Sequence, residues 1–175
     1  MREIPRAHRL ADGATLHVRA LRPTDERALR AAFRELSPRS RHQRFLGPVT
    51  ELSDVLWRYL CDVDGLDHVA LVALDAGESR ALGVARFIRL STEPSTAEVA
   101  ITVADPWQRR GLGSLLLDLL VDEAQRRGVV AFVAHTLPNN VAIRRLLSRQ
   151  GTLRVSGRGD GAVTFVLSLR DTCAA

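Results

Sequence analysis

With 175 residues, 46% hydrophobic and 26% charged, the chain is long enough for one domain with a proper core, short for two, and too apolar for extended disorder. No run approaches the ~18 apolar residues of a membrane span, and the opening MREIPRAHRLADG lacks the apolar stretch of a secretory signal, so no membrane is expected and the cytoplasm is the default. All 25 basic residues are arginine and the net charge is +5, which suits polyanions, but the arginines are scattered and aromatics are only 5%; nucleic acid is therefore not the expected partner, and a phosphate-bearing small molecule fits as well.

In chain order, residues 1–12 read as a loose tail and 14–21 (ATLHVRAL) alternate as a strand. The segment 22–36 reads as a helix with Thr24 as N-cap and Asp25 and Glu26 in its first turn, followed by short helical pieces at 36–45 and 50–63. A β-rich meander follows at 67–74, 81–90 and 97–103, broken by the turn-forming DAGES and STEPST. Residues 111–128 carry Leu112, Leu115, Leu116, Leu119, Leu120 and Ala124 at helical spacing, arginines in the last turn and Gly128 as a stop. A buried strand at 129–137, a helix at 141–151 ending on Gly151, and a hairpin turning near Asp160-Gly161 close the chain. Residues 1–175 thus form a single α/β unit with no internal repeat. Cys61 and Cys173 offer neither a disulfide framework nor metal-ligand spacing, and no metal is expected.

The stretch DPWQRRGLGS (105–114) raises the functional question. A P-loop needs a lysine, and the chain has none; a dinucleotide fingerprint needs a third small residue where Leu116 stands and an acid some 20 positions on, where 129–137 hold none. Two readings remain: a plain turn, or a cradle of main-chain N–H groups around an anion at a helix start. In the second, Gly111 and Gly113 admit a pyrophosphate to the backbone and Arg109 and Arg110 supply charge-assisted contacts.

Gln108-Arg109-Arg110-Gly111-Leu112-Gly113 matches the Gln/Arg-x-x-Gly-x-Gly/Ala signature of the GNAT superfamily of N-acetyltransferases, and Asn140 to Gly151, with Ala142, Ile143 and Leu146, resembles its second signature. AEVAITV (97–103) resembles the strand that carries the catalytic glutamate of histone-type members, here Glu98. Leu36-Ser37-Pro38-Arg39-Ser40-Arg41 and Arg44-Phe45 resemble the front section of bacterial protein-lysine acetyltransferases.

The resemblance implies a GNAT fold of the α/β (α+β) class. Its mixed sheet has six to seven strands, mostly antiparallel, with one parallel βαβ pair splayed at the cofactor site, and some four helices flank it. It implies acetyl-CoA as cosubstrate, held by Gln108, Arg109, Arg110, Gly111, Leu112, Gly113 and Ser114, with main-chain contacts from Ile101 and Val103, and by Asn140, which is equally well suited to be a helix N-cap. It implies an amine acceptor, a protein lysine in preference to a small amine, attacked directly in a ternary complex with Glu98 as base; Ala100 and Thr102 share its strand face. Leu146-Leu147 stand where many members place a tyrosine acid, and the only tyrosine is Tyr59, which leaves solvent to protonate the thiolate. An acyl-CoA sensor without catalysis is the alternative. His135, Trp107, His42 and Arg44 read first as structural or exposed surface residues.

Overall fold

The computed structural model describes residues 7–170. Eight strands form one sheet in the order β1-β2-β3-β4-β5-β6-β8-β7. They are β1 (Ala7–Arg9), β2 (Thr15–Ala20), β3 (His68–Asp75), β4 (Ala81–Leu90), β5 (Glu93–Val103), β6 (Ala131–Thr136), β7 (Gly151–Gly159) and β8 (Ala162–Leu169). The eighth strand is β1, which pairs with β2 inside the stretch expected to be a loose tail. All pairings are antiparallel except β5 with β6. Cys173 lies outside the described residues, and within them no helix is long and apolar enough to cross a membrane.

Five helices flank the sheet: α1 (Glu26–Glu35), α2 (Pro38–Phe45), α3 (Asp54–Cys61), α4 (Leu112–Arg126) and α5 (Val141–Leu147). One face of the sheet receives α4. Its Leu112, Leu116, Leu117, Leu120 and Ala124 are fully buried against Leu71, Ala85, Phe87, Ala97 and Phe132, and each such leucine contributes roughly 1.5–3 kcal/mol. The other face receives α1 and α3, where Phe33 meets the rings of Phe45 and Trp57 edge-on at 5.8 Å each.

Local chemistry explains where elements begin and end. Thr24 is not the cap of α1: residues 23–25 form a 3-10 turn, and the Asp25 carboxylate accepts from the Arg22 N–H and, through both oxygens, from Arg19. Ser37 and Ser53 cap α2 and α3, each hydroxyl accepting an N–H three residues on. The meander turn is only Ser91-Thr92, so β5 starts at Glu93 rather than after STEPST. The Asp160-Gly161 turn has both residues at positive φ (49° and 73°), the pattern that matches strand twist in a two-residue hairpin.

Gly151 does not end the last helix. α5 stops at Leu147 with Ser148 as C-cap, and Gly151 opens β7, where a Cβ would sit 1.9 Å from the Ser168 carbonyl oxygen. Close strand approach, not helix termination, demands glycine there.

Candidate active site

The parallel ladder between β5 and β6 is short. It pairs Thr96 with Ala131, Ala97 with Phe132 and Glu98 with Val133, while β5 runs on to Val103 beside β4 and β6 runs on to Thr136 beside β8. Among the described residues the two strands part after Glu98. Main-chain directions alternate along an antiparallel pair, and the Ala104 N–H donates to Leu82, so the even-numbered residues bond toward β4. The C=O of Val99, both main-chain groups of Ile101 and the N–H of Val103 therefore face the opening, the Val99 N–H being used by the last parallel pair.

Side chains alternate too. Ala97, Val99, Ile101 and Val103 join the core under α4, whereas Ala100 and Thr102 line a cavity under α1 and α3. Glu98 shares that second face and is solvent-exposed, so the carboxylate stands at the fork of the two strands.

The turn at 108–114 closes the wide end of the fork. Arg109 and Gly111 are both left-handed (φ 60° and 91°), a conformation costing a non-glycine residue roughly 1–2 kcal/mol. Gly111 is the N-cap of α4, the helix opens with no acidic residue in its first turn, and its first N–H groups lack partners within the helix. A Cβ on Gly113 would meet Leu146 and Val103 at ordinary contact distances of 3.6 and 3.7 Å; the protein's own packing does not require glycine there.

Gln108 bolts this turn to the fork: its Nε2 donates to the Val103 carbonyl and to Ser40 Oγ, 3.1 Å each. Asp105 completes the joint by accepting from the Ser37 N–H (2.8 Å), Ser37 Oγ (3.0 Å) and Ser40 Oγ (2.6 Å). Burial raises the Asp105 pKa, but these donors outweigh it and hold the carboxyl below its ordinary range. The Leu36 to Arg41 motif thus serves as a dock between α2 and the turn.

The predicted residues divide. Gln108, Gly111, Leu112, Gly113 and Ser114 lie together at the helix mouth, next to the main chains of Ile101 and Val103. The Arg110 guanidinium is committed elsewhere, to Asp12 at 2.5 Å and to the Trp107 ring at 4.2 Å. Asn140 is the N-cap of α5, its side chain accepting from the Ile143 N–H at 3.3 Å. His135 meets Thr164 Oγ1 at 3.0 Å. Arg44, read as an exposed helical residue, is half-buried instead and lies 4.8 Å over the Phe45 ring.

Sequence reasoning missed Arg86. This β4 residue is only 4% exposed, its Nη1 donating to the Leu60 carbonyl (2.6 Å) and meeting His68 Nε2 (3.1 Å). Burial, then the charge of Arg44, pulls its pKa down to about 10, so it stays charged at neutral pH. An arginine inside the apolar run ALGVARFI was the available signal.

The segment that carries the strand fork, the glycine turn and the start of α4 lies within a family match. Residues 29–152 match the model of the acetyltransferase (GNAT) family. The chain belongs to that family. It is 36% identical over 144 residues to an acetyltransferase of Pseudomonas aeruginosa, covering 81% of this chain and 77% of that one. It is 35% identical over 144 residues to the acetyltransferase Pat of Mycolicibacterium smegmatis, covering 82% of this chain but only 43% of Pat. The GNAT domain of S. lividans PAT superposes with a TM-score of 0.85 at 29% identity, over 93% of this chain and 96% of that domain. A cAMP-binding acyltransferase from Mycobacterium smegmatis aligns over 96% of this chain and 48% of its own length, with a TM-score of 0.67 at 27% identity.

Proposed function

We propose that this acetyltransferase moves the acetyl group of acetyl-CoA to a primary amine by direct attack in a ternary complex, with Glu98 as the base. The observation that carries the reading is the fork: unpaired main-chain groups of β5 open between two parallel strands, the N-terminus of α4 lies at the wide end and a carboxylate at the narrow end. An extended thioester carrier with amides along its length satisfies the strand edge, and its pyrophosphate suits the helix mouth. A structural neighbour, yncA from Salmonella typhimurium, was solved with acetyl-CoA as its cofactor, in keeping with this reading.

Attack needs a neutral nitrogen, and deprotonating an amine of pKa ~10.4 at neutral pH costs on the order of 4–5 kcal/mol. Glu98 takes that proton directly or through one water. As the nitrogen bonds to the thioester carbon, a fork-facing N–H of β5 stabilises the developing oxyanion; the carbon–sulfur bond then breaks and solvent protonates the thiolate.

The resemblance of the α2 segment to protein-lysine acetyltransferases favours a protein lysine. An open groove of about 560 Å³ between Arg39, His42 and Gln43 of α2 and Leu137-Asn139 would admit one. The small cavity on the Glu98 face favours a second reading, a small amine. Incubation with acetyl-CoA, mass spectrometry of products from protein and small-amine pools, and calorimetry of acetyl-CoA binding test the proposal. Binding without any acetylated product would leave an acyl-CoA sensor in its place, and no binding would remove the proposal altogether.

A further inference from the structure

Buried acids in this protein are matched by arginine: Asp25 by Arg19, and Glu123 by Arg126 and Arg127. The converse fails at one place. Arg44 and Arg86 line the same cavity of about 60 Å³, with Phe33, Phe45, Trp57 and Ala100 among its walls, and among the described residues neither forms an ion pair. Glu98 attracts Arg44 only at longer range, while Arg44 and Arg86 repel each other. The other groups acting on Arg86 are Tyr59, Cys61 and His68, and burial and the Arg86 charge lower the His68 pKa and keep that ring neutral. Two guanidiniums facing an apolar cavity without a counter-charge are costly, and an anion entering between them would offset that cost.

Strand register says where the anion would lie relative to the reaction. Arg86 is the cross-strand partner of Ala100, and Ala100 is the next same-face residue after Glu98, a step of ~6.8 Å along the strand. A group held by Arg86 therefore lies a few bonds' reach from a nitrogen held by Glu98. The coenzyme's phosphates have their own place at the α4 mouth, which packs on the opposite face.

We propose, on the small-amine reading, that Arg44 and Arg86 form a carboxylate-binding subsite in the acceptor pocket, so that the acceptor is a small amine bearing a carboxylate, as in a short amino acid. The carboxylate enters the cavity between the two guanidiniums, a space of its size, and the amine points along β5 to Glu98. This rests on the acetyltransferase reading for its chemistry, but not for its binding.

The test compares glycine and alanine with their carboxamides as acceptors, and titrates the same four compounds calorimetrically into protein loaded with coenzyme A. The acids are expected to exceed the amides in kcat/KM by about 30-fold or more, the scale of leaving a buried charge unpaired. Arg44→Gln, half-buried and so safer to fold than an Arg86 variant, should collapse the acid-to-amide ratio toward one, chiefly through KM, with the thermal unfolding profile as the check on folding. Acids that bind in an Arg44-dependent way without being acetylated would uphold the subsite and defeat the proposed chemistry. Equal binding or turnover of acids and amides, or acetylation of a lysine peptide while the acids neither bind nor react, would overturn the subsite and leave the acetyltransferase standing.

Discussion

The two faces of the sheet are built on opposite terms. Under α4 the packing is aliphatic and aromatic, with ten buried leucines in the cluster; under α1 and α3 the same sheet buries Asp25, His68 and Arg86 and keeps a cavity. Strand β5 belongs to both, since its odd-numbered side chains complete the closed core and its even-numbered ones, from Glu98 to Thr102, look toward the cavity. One strand can thus be anchored rigidly by one face while presenting chemistry on the other, which is how a carboxylate is held in place without being buried.

The sharpest way to break this division is Glu98→Gln. If the cavity face carries the chemistry, turnover falls by about 10²–10⁴-fold, while calorimetry finds acetyl-CoA affinity unchanged because the coenzyme is held by the fork and the turn. An unchanged kcat removes Glu98 from catalysis.

Next in size is a pair of truncations read by urea unfolding. Leu116→Ala, in the closed core, is expected to cost about 2–5 kcal/mol. Leu60→Ala, whose side chain already borders the cavity, should cost clearly less, because fewer contacts are lost where a space exists. Equal losses would mean that the second face is packed as tightly as the first.

A smaller effect belongs to the turn that joins the faces. Gly111→Ala forces a Cβ into the left-handed region for roughly 1–2 kcal/mol and narrows the approach to the α4 amides. A raised KM for acetyl-CoA with kcat nearly intact is expected; an unchanged KM would mean that the phosphate lies elsewhere.

The closed face was the legible one. Leucines at helical spacing on α4, alternation along β2, the β-rich runs of β3 to β5 and the Asp160-Gly161 turn all report local rules, and the glycine turn and Glu98 could be placed because motif and strand are contiguous in sequence. What stayed hidden depends on distant partners. Ser37 and Ser40 read only as part of a motif resembling the front section of protein-lysine acetyltransferases, yet they lock onto Asp105, some 65 residues away in sequence. Arg44 read as exposed because its helix is polar up to Phe45, and only the sheet beneath it shows that it turns inward toward Arg86. Arg110 sat within the glycine signature, and nothing near it announced that Asp12 would claim it. The short strand at Ala7–Arg9 is too brief for periodicity to register, being held by its pairing with β2.

The smallest expected effect concerns the joint between α2 and the turn, and its sign follows from Asp105. Its folded pKa lies below the ordinary 3.8 because the Ser40 and Ser37 donors outweigh burial. The ionised form is therefore preferred in the folded state, and the stabilisation is present above about pH 3.8 and is lost as pH falls through the lowered folded value. Asp105→Asn keeps an acceptor oxygen but cannot accept from all three donors through two charged oxygens, so the variant should be less stable than the parent by a constant margin from pH 5 to 7. That margin should shrink toward zero between pH 3.8 and 2, as the parent loses what the variant never had. Urea unfolding across this range measures it, and subtracting the two curves cancels the other low-pKa carboxyls, Asp25 and Asp75 among them. A margin that persisted at pH 2 would assign the joint to neutral hydrogen bonds rather than to the carboxylate charge.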